Sequence, residues 1–318
     1  MAEYRYASFG MSISSFIPLA LAPAAQNRTS TPGSSAETFY APAAWPVEIV
    51  EGAVRPAELP SSIGKIRYGR TERGVQFDIP WAARYLIEGD ARIVVERTSG
   101  ASVDYAGLYV SGLILAAMLG LRGNLALHGS AVVSDTAARG ASSTSGTPSS
   151  LVFIGDKGAG KSTTVAALSA RGYRILCDDV IPIASDNATH HSLVLPGIPF
   201  PKLLADAYEN LIGDPLAAPH LFDGVNKYQV SMPSSDEPAP LRAIFALEIS
   251  TRAEQEGPRI ELIKGAAKIQ RLLQNTMSLQ GLDDPASIFA LCAERLAGVP
   301  CWRVLRPAGK TCINELVD

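Results

Sequence analysis

The chain has 318 residues, 47% of them hydrophobic and 19% charged, with a formal net charge of −3. This balance describes a globular protein of one large or two modest domains and leaves no basic footprint, so nucleic acid is excluded as an expected partner. The four cysteines, Cys177, Cys292, Cys301 and Cys312, lack C-x-x-C spacing and read as reduced thiols of a cytoplasmic protein, with Cys177 a packing residue.

From the N-terminus, Ser12 to Ala25 mimics a signal peptide, but Pro18 interrupts the apolar run and Glu3 accompanies Arg5, so the basic leader region is missing. Apolar stretches at Tyr6–Ile13, Val47–Val50, Val75–Ile79, Tyr85–Ile87 and Ala91–Val95, separated by Gly, Pro and Ser clusters, predict a β-rich domain over 1–104. Gln26–Glu37 reads as a loop. The domain carries no catalytic constellation; scaffolding and peptide docking along an open sheet edge are both consistent with it. Tyr105–Leu121 predicts a buried connecting helix within 105–123, and its most apolar part, Leu108–Leu121, is shorter than a membrane span, so no membrane is expected as a partner.

Asn124–Val133 reads as a strand, and 134–150 is a Ser/Thr/Gly/Ala tract expected to form a flexible loop. Leu151–Ile154 then forms a buried strand that runs into Gly155-Asp156-Lys157-Gly158-Ala159-Gly160-Lys161-Ser162. This is the G-x-x-x-x-G-K-[ST] phosphate-loop pattern between a strand and a helix. The glycines free the backbone to gather N–H groups around phosphate oxygens, and the helix N-terminus adds a positive end. Lys161 supplies charge for the β- and γ-phosphates of ATP, Ser162 a hydroxyl for Mg²⁺, and Thr163 opens a short helix that ends before Gly172. Tyr173–Cys177 reads as the next strand, with Asp178-Asp179 at its carboxyl end, seventeen and eighteen residues after Lys161. Two neighbouring carboxylates beside Mg²⁺ and a triphosphate can divide the work, one on the metal and one accepting a hydroxyl proton; spacing does not choose between them.

The GDKGAGKS loop, Arg171-Gly172, the close Asp178-Asp179 pair, Leu127-His128-Gly129-Ser130, Pro196-Gly197-Ile198-Pro199-Phe200-Pro201-Lys202-Leu203 and Asn226-Lys227 together resemble the HPr kinase/phosphorylases and HPr-kinase-like proteins, some of which phosphorylate lasso-peptide precursors. The resemblance runs from about Leu125 to Leu204. It implies an α/β phosphate-loop domain of the phosphoenolpyruvate-carboxykinase type over 124–318, behind the small β-rich domain. It also implies an ATP- and Mg²⁺-dependent serine kinase acting on a peptide or small protein. A histidine such as His128 beside this pair can orient the acid that takes the acceptor's proton or donate to phosphoryl oxygens, and the resemblance makes Asp179 that proton acceptor and leaves Asp178 to the metal and to His128; Lys202 and Lys227 become candidates for phosphate or acceptor contacts. A homo-oligomer is compatible with it. Thr163 in place of the family's glutamate, and the lack of its glutamate-containing signature after the acidic pair, argue against HPr as acceptor and against the reverse phosphorolysis; within the resemblance a ribosomal precursor peptide, such as a lasso precursor, is the preferred acceptor. A nucleotide-binding regulatory or docking protein, a plain NTPase, and a kinase with HPr itself as substrate are the alternatives.

The C-terminal part predicts strands at Ala243–Ile249, Arg259–Ile263 and Trp302–Leu305 and helices at Ala266–Met277 and Pro285–Ala297. Arg271 and Asn275 can reach a site, although helix-surface polarity explains them equally. His190, His191 and His220 have no zinc-site spacing.

Overall fold

The computed structural model describes residues 4–24, 45–134, 148–186, 191–213, 227–250 and 257–307. The loop expected over 26–37, most of the 134–150 tract, His190, His220, Asn226 and Cys312 lie outside those residues.

Eight strands build the first sheet: β1 (Tyr4–Ser8), β2 (Met11–Ser15), β3 (Trp45–Glu51), β4 (Ser61–Ile63), β5 (Ile66–Thr71), β6 (Gly74–Ile79), β7 (Ala83–Glu88) and β8 (Arg92–Arg97), in the order β1-β2-β3-β8-β7-β6-β5-β4. Their alternation decides which face is buried. Val75, Phe77, Ile79, Tyr85, Ile87, Ile93 and Val95 point into one large core, whereas Leu86 and Val94 pack with Val54 on the opposite face. The single strand expected over Tyr6–Ile13 is instead a hairpin. Phe9 (φ 57°) and Gly10 (φ 71°) both turn left-handed, the backbone of a tight two-residue connection. A phenylalanine is not a turn signal; the Phe9 ring is fully buried and its N–H donates to Pro196 O at 2.7 Å, which holds the turn.

Across the buried face lies one helix, Val103–Leu121, made of α1 (Val103–Tyr109), a π-helical turn (Val110–Ile114) and α2 (Leu115–Leu121). Ser102 caps it by accepting from Asp104 N. Gly107 lets it close onto the chain at Pro18, whose carbonyl oxygen would sit 2.0 Å from a Cβ there. This corrects the expectation of a run too short for a membrane: by length and composition the 19-residue helix could cross one. More than half of it is buried in the fold, with Val110, Ile114, Leu115 and Met118 inaccessible.

The second sheet contains β9 (Leu125–Ser134), β10 (Ser149–Gly155), β11 (Arg174–Ser185) and β12 (Ser192–Val194). A separate two-stranded ladder, β13 (Lys202–Leu204) with β14 (Lys227–Gln229), follows, and β15 (Ala239–Ile249), β16 (Arg259–Ile263) and β17 (Cys301–Arg306) complete the main sheet. The order is β10-β9-β11-β12-β15-β17-β16, and β10 also pairs with β15, so the ladder returns on itself. Helix α3 (Lys161–Ser169) covers one face through Val165 and Leu168 on Val132, Phe153 and Val304. Helix α4 (Ala205–Leu211) follows β13. Helices α5 (Gly265–Gln274) and α6 (Pro285–Leu296) cover the other face, where Leu272, Cys292 and Leu296 meet Ile154, Ile181 and Ile244. The fold is mixed α/β. Val180, Ile198, Leu279 and Leu282 join the core under the first sheet, so both sheets share apolar interior.

Two boundaries differ from expectation. Strand β11 continues to Ser185, which puts Asp178-Asp179 inside it and not at its end. Helix α5 stops at Gln274 and not near Met277; Thr276 bridges to Leu127 of β9 instead.

Candidate active site

The glycine loop begins where β10 ends. Gly155 (φ 141°) passes so close to β15 that a Cβ would meet Leu247 O at 2.4 Å, a contact only glycine permits. Gly158 and Gly160 have φ of 86° and 95°, and Gly160 is the N-cap of α3. Asp156, Lys157 and Gly158 form the exposed crest, while Ala159 is buried beneath it. Lys161 is itself buried and donates from Nζ to Gly155 O at 2.8 Å and Asp156 O at 3.2 Å. Burial pulls its pKa down, against the charges of Asp178, Asp179 and Asp156. Thr163 sits half-buried in the first turn of α3.

Strand β9 runs between β10 and β11 and brings loop and acids together. Gly129 pairs with Ile154 on one side and Asp179 on the other, which sets the acidic pair level with the end of β10. The neighbouring carboxylates then meet different surroundings. Asp178 is 2% exposed and accepts from Ser130 Oγ at 2.5 Å, from Ser162 Oγ at 3.0 and 3.2 Å, and from Lys202 N at 3.3 Å. Burial, then the charge of Asp179, pushes its pKa above the ordinary aspartate value, and the two hydroxyls only partly offset this. Asp179 has φ 74°, unusual for a residue with a Cβ, and this kink turns its side chain out to 37% exposure. Burial would raise its pKa, but Lys202, whose Nζ lies 2.9 Å from Oδ2, outweighs it with help from His128 and Lys227, and the carboxyl is held below its usual range. One acid is enclosed among hydroxyls; the other is ionised and within reach of solvent.

The expected site residues Lys161, Ser162, Asp178, Asp179, His128 and Lys202 thus converge. His128 needs one correction: Nδ1 lies 3.0 Å from the Asp179 carbonyl oxygen and 3.5 Å from its Oδ1, so the histidine attends Asp179 and not Asp178. Ser130, two residues further along β9, holds Asp178 instead. Lys227 stands opposite Leu204 in β14 and acts on Asp179 and Lys161 through its charge. The Pro196–Lys202 segment lies along β11, with Asp178 N donating to Ile198 O at 2.7 Å. Gly197 is needed there because a Cβ would lie 2.7 Å from that of Cys177.

Three residues were missed or undervalued in the sequence. Ser130 shares a strand face with His128, and its two-residue spacing was the available signal. Asn275, just past the end of α5, turns inward: its Oδ1 accepts from Gly155 N at 2.9 Å, and its carbonyl accepts from His128 N at 2.7 Å. Arg306, at the end of β17, donates from Nε to Ala159 O at 3.0 Å. Nothing in the local pattern announces Arg306; the parallel pairing of β15 with β17 carries it to the loop.

The donor set fits a magnesium nucleotide. Ser162 and Asp178 offer hard oxygens already side by side, and the left-handed Gly158 and Gly160 keep the loop free of side chains where phosphates would lie.

No family model matches the chain, and no curated protein matches it. Among solved structures it is similar to that of the Hpr(Ser) kinase/phosphatase from Coxiella burnetii, at 13% identity over 57% of this chain and 85% of that one, with a TM-score of 0.25. At that level the likeness carries no weight for function, which rests on the site itself.

Proposed function

We propose that the protein is an ATP- and Mg²⁺-dependent kinase of the phosphate-loop, phosphoenolpyruvate-carboxykinase-like type that phosphorylates a serine hydroxyl of a peptide or small protein. The observation that carries this reading is the split between the two acids: Asp178 enclosed with Ser162 beside the loop, Asp179 half-buried, held ionised and paired with Lys202. Phosphoryl transfer asks the protein mainly for positioning and charge, and this division supplies both.

Bound Mg²⁺-ATP would supply the transferable group and the charge that neutralises it. Ser162 and Asp178 would hold the metal, while Lys161 and the loop N–H groups cradle the phosphates. Asp179 orients the acceptor hydroxyl and takes its proton as the new O–P bond forms and the bond to the β-phosphate oxygen breaks. Lys202 donates to Asp179 at 2.9 Å and would offer its charge to the transferred phosphoryl group. His128 supports the Asp179 backbone and carboxylate from the other side. The resemblance in sequence favours a ribosomal precursor peptide, such as a lasso precursor, over HPr.

The test is mass spectrometry of serine-containing peptides and of HPr incubated with the protein and Mg²⁺-ATP. A gain of one phosphate on a peptide, lost in Asp179→Asn, is the expected result. Nucleotide binding with no transfer to any acceptor would overturn the kinase reading in favour of a nucleotide-gated regulatory protein.

A further inference from the structure

The connecting helix has three glycines, and the fold explains two of them. A Cβ on Gly107 would lie 2.0 Å from Pro18 O, and one on Gly120 would lie 3.2 Å from Asp283 Oδ1. Gly112 is different. Its φ lies outside the left-handed region, so the backbone does not require glycine there. Apart from its own helix, a Cβ built on it meets a single atom within 4 Å, Asp179 Oδ2 at 4.0 Å, which is ordinary van der Waals contact. Alanine would fit this protein as it stands, and a helix favours alanine over glycine.

The helix is also irregular at this point. Gly112 is the middle residue of the π-helical turn Val110–Ile114, where the Leu115 N–H reaches back to Val110 O, and such turns recur at functional sites. Its neighbour Ser111 is tied to the first sheet's side of the chain, accepting from Ala20 N at 2.9 Å. Gly112 faces across to Asp179, whose own backbone is left-handed. Two irregular stretches of backbone thus meet, and the helix contributes no side chain to the space between them. Gly112 is itself buried while the Asp179 side chain is 37% exposed, so that space is reached past the acid. The carboxylate is already flanked by Lys202 Nζ at 2.9 Å from Oδ2 and by His128 Nδ1 at 3.5 Å from Oδ1. An acceptor hydroxyl giving its proton to Asp179 must come to about 2.7 Å from one of these oxygens, and a methyl carbon 4.0 Å from Oδ2 would contend for the same approach.

We propose that Gly112 is a specificity-determining residue of the active site: glycine at this position lets the acceptor's serine side chain stand between the connecting helix and Asp179. The helix that covers the first sheet is then one wall of the acceptor subsite, and the β-rich half of the chain takes part in choosing the acceptor. The proposal rests on the kinase reading of the site.

The full chain, as wild type, Gly112→Ala and Gly112→Val, is compared on a serine peptide that the wild type phosphorylates, with ATP affinity measured by calorimetry and stability by thermal unfolding. Gly112→Ala is expected to keep ATP affinity within twofold and to melt at the same or a higher temperature, while kcat/KM for the peptide falls at least tenfold; Gly112→Val lowers it further. A glycine kept for packing would give the reverse, a lower melting temperature with activity falling only in step with the folded fraction. Equal kcat/KM in wild type and Gly112→Ala, a lowered melting temperature in Gly112→Ala, or loss of its ATP affinity in parallel with transfer would overturn the proposal and leave the kinase reading standing. A wild type that binds ATP and modifies no acceptor overturns the kinase reading, and this proposal with it.

Discussion

In the eight-stranded sheet the charged side chains face water and pair with one another, Arg73 with Glu88 at 2.5 Å and Arg97 with Glu51 at 3.3 Å. Around β11 of the second sheet, charges turn inward instead: Lys161 of α3, Asp178 and Lys202 of β13 are largely withdrawn from solvent, and Asp179 is held in a left-handed backbone beside them. Exposed pairs of the first kind contribute about 0–1 kcal/mol each, so that sheet stands on its apolar interior. The second region gathers charges whose burial opposes folding and retains them where the middle of β11, the start of α3 and β13 meet. Stability and chemistry are thus divided between the two regions, and the shared interior of Val180, Ile198, Leu279 and Leu282 keeps the chemical end attached to the stable one.

The division can be broken from the stable side first. Phe77 is wholly buried in the first core and stacks on Tyr68 at 5.7 Å between ring centroids. Phe77→Ala is expected to lower the unfolding free energy by about 3–5 kcal/mol in denaturant titration. Because Val180, Ile198, Leu279 and Leu282 belong to this core, nucleotide binding and sheet structure should be lost in a single transition; two separate transitions would show that the sheets are independent.

A smaller effect is expected where the two regions touch. A Cβ at Gly197 would lie 2.7 Å from the Cys177 Cβ and 3.1 Å from Val180 O, directly behind the acidic pair. Gly197→Ala should therefore cost about 1–3 kcal/mol by overpacking and lower transfer disproportionately, as β11 shifts. Full activity with unchanged stability would mean that the Pro-Gly segment does not set the position of the acids.

The smallest effect concerns pH. Asp283, at the junction, accepts from Leu279 N, and burial raises its pKa against a weaker opposing pull from that hydrogen bond and Arg70. With the folded value above the unfolded one, its contribution is present below the unfolded pKa and is lost as pH rises through the folded pKa. Asp283→Asn should keep an acceptor for Leu279 N and remove that loss, so its stability overtakes the wild type's on going from acid to neutral pH. Parallel pH profiles would contradict this.

How much of this was legible in the sequence follows the range of the interactions. The glycine loop, the start of α3 and the apolar strands β6 to β8 are local patterns and read directly. The continuation of β11 past Asp179 was hidden because two aspartates and Pro182 look like a strand end; pairing with β9 out to Ile183 overrides that signal. The Phe9-Gly10 turn was hidden because its left-handed phenylalanine is held by tertiary packing and by Pro196. Asn275 read as helix surface because α5 was carried too far; ending the helix at Gln274 frees it to hold the loop and β9 together. In each case the missing information was a contact between residues far apart in the chain.

The central claim is that Asp178 serves the metal and Asp179 the acceptor. The most direct measurement is ATP affinity by calorimetry, with and without Mg²⁺, in the wild type, Asp178→Asn and Asp179→Asn, with phosphate transfer followed on the same samples. The expected result is that Asp178→Asn loses the Mg²⁺-dependent gain in affinity, whereas Asp179→Asn keeps it and loses transfer by about two to four orders of magnitude. Transfer at the wild-type rate in Asp179→Asn, or identical metal dependence in both variants, would contradict the assignment.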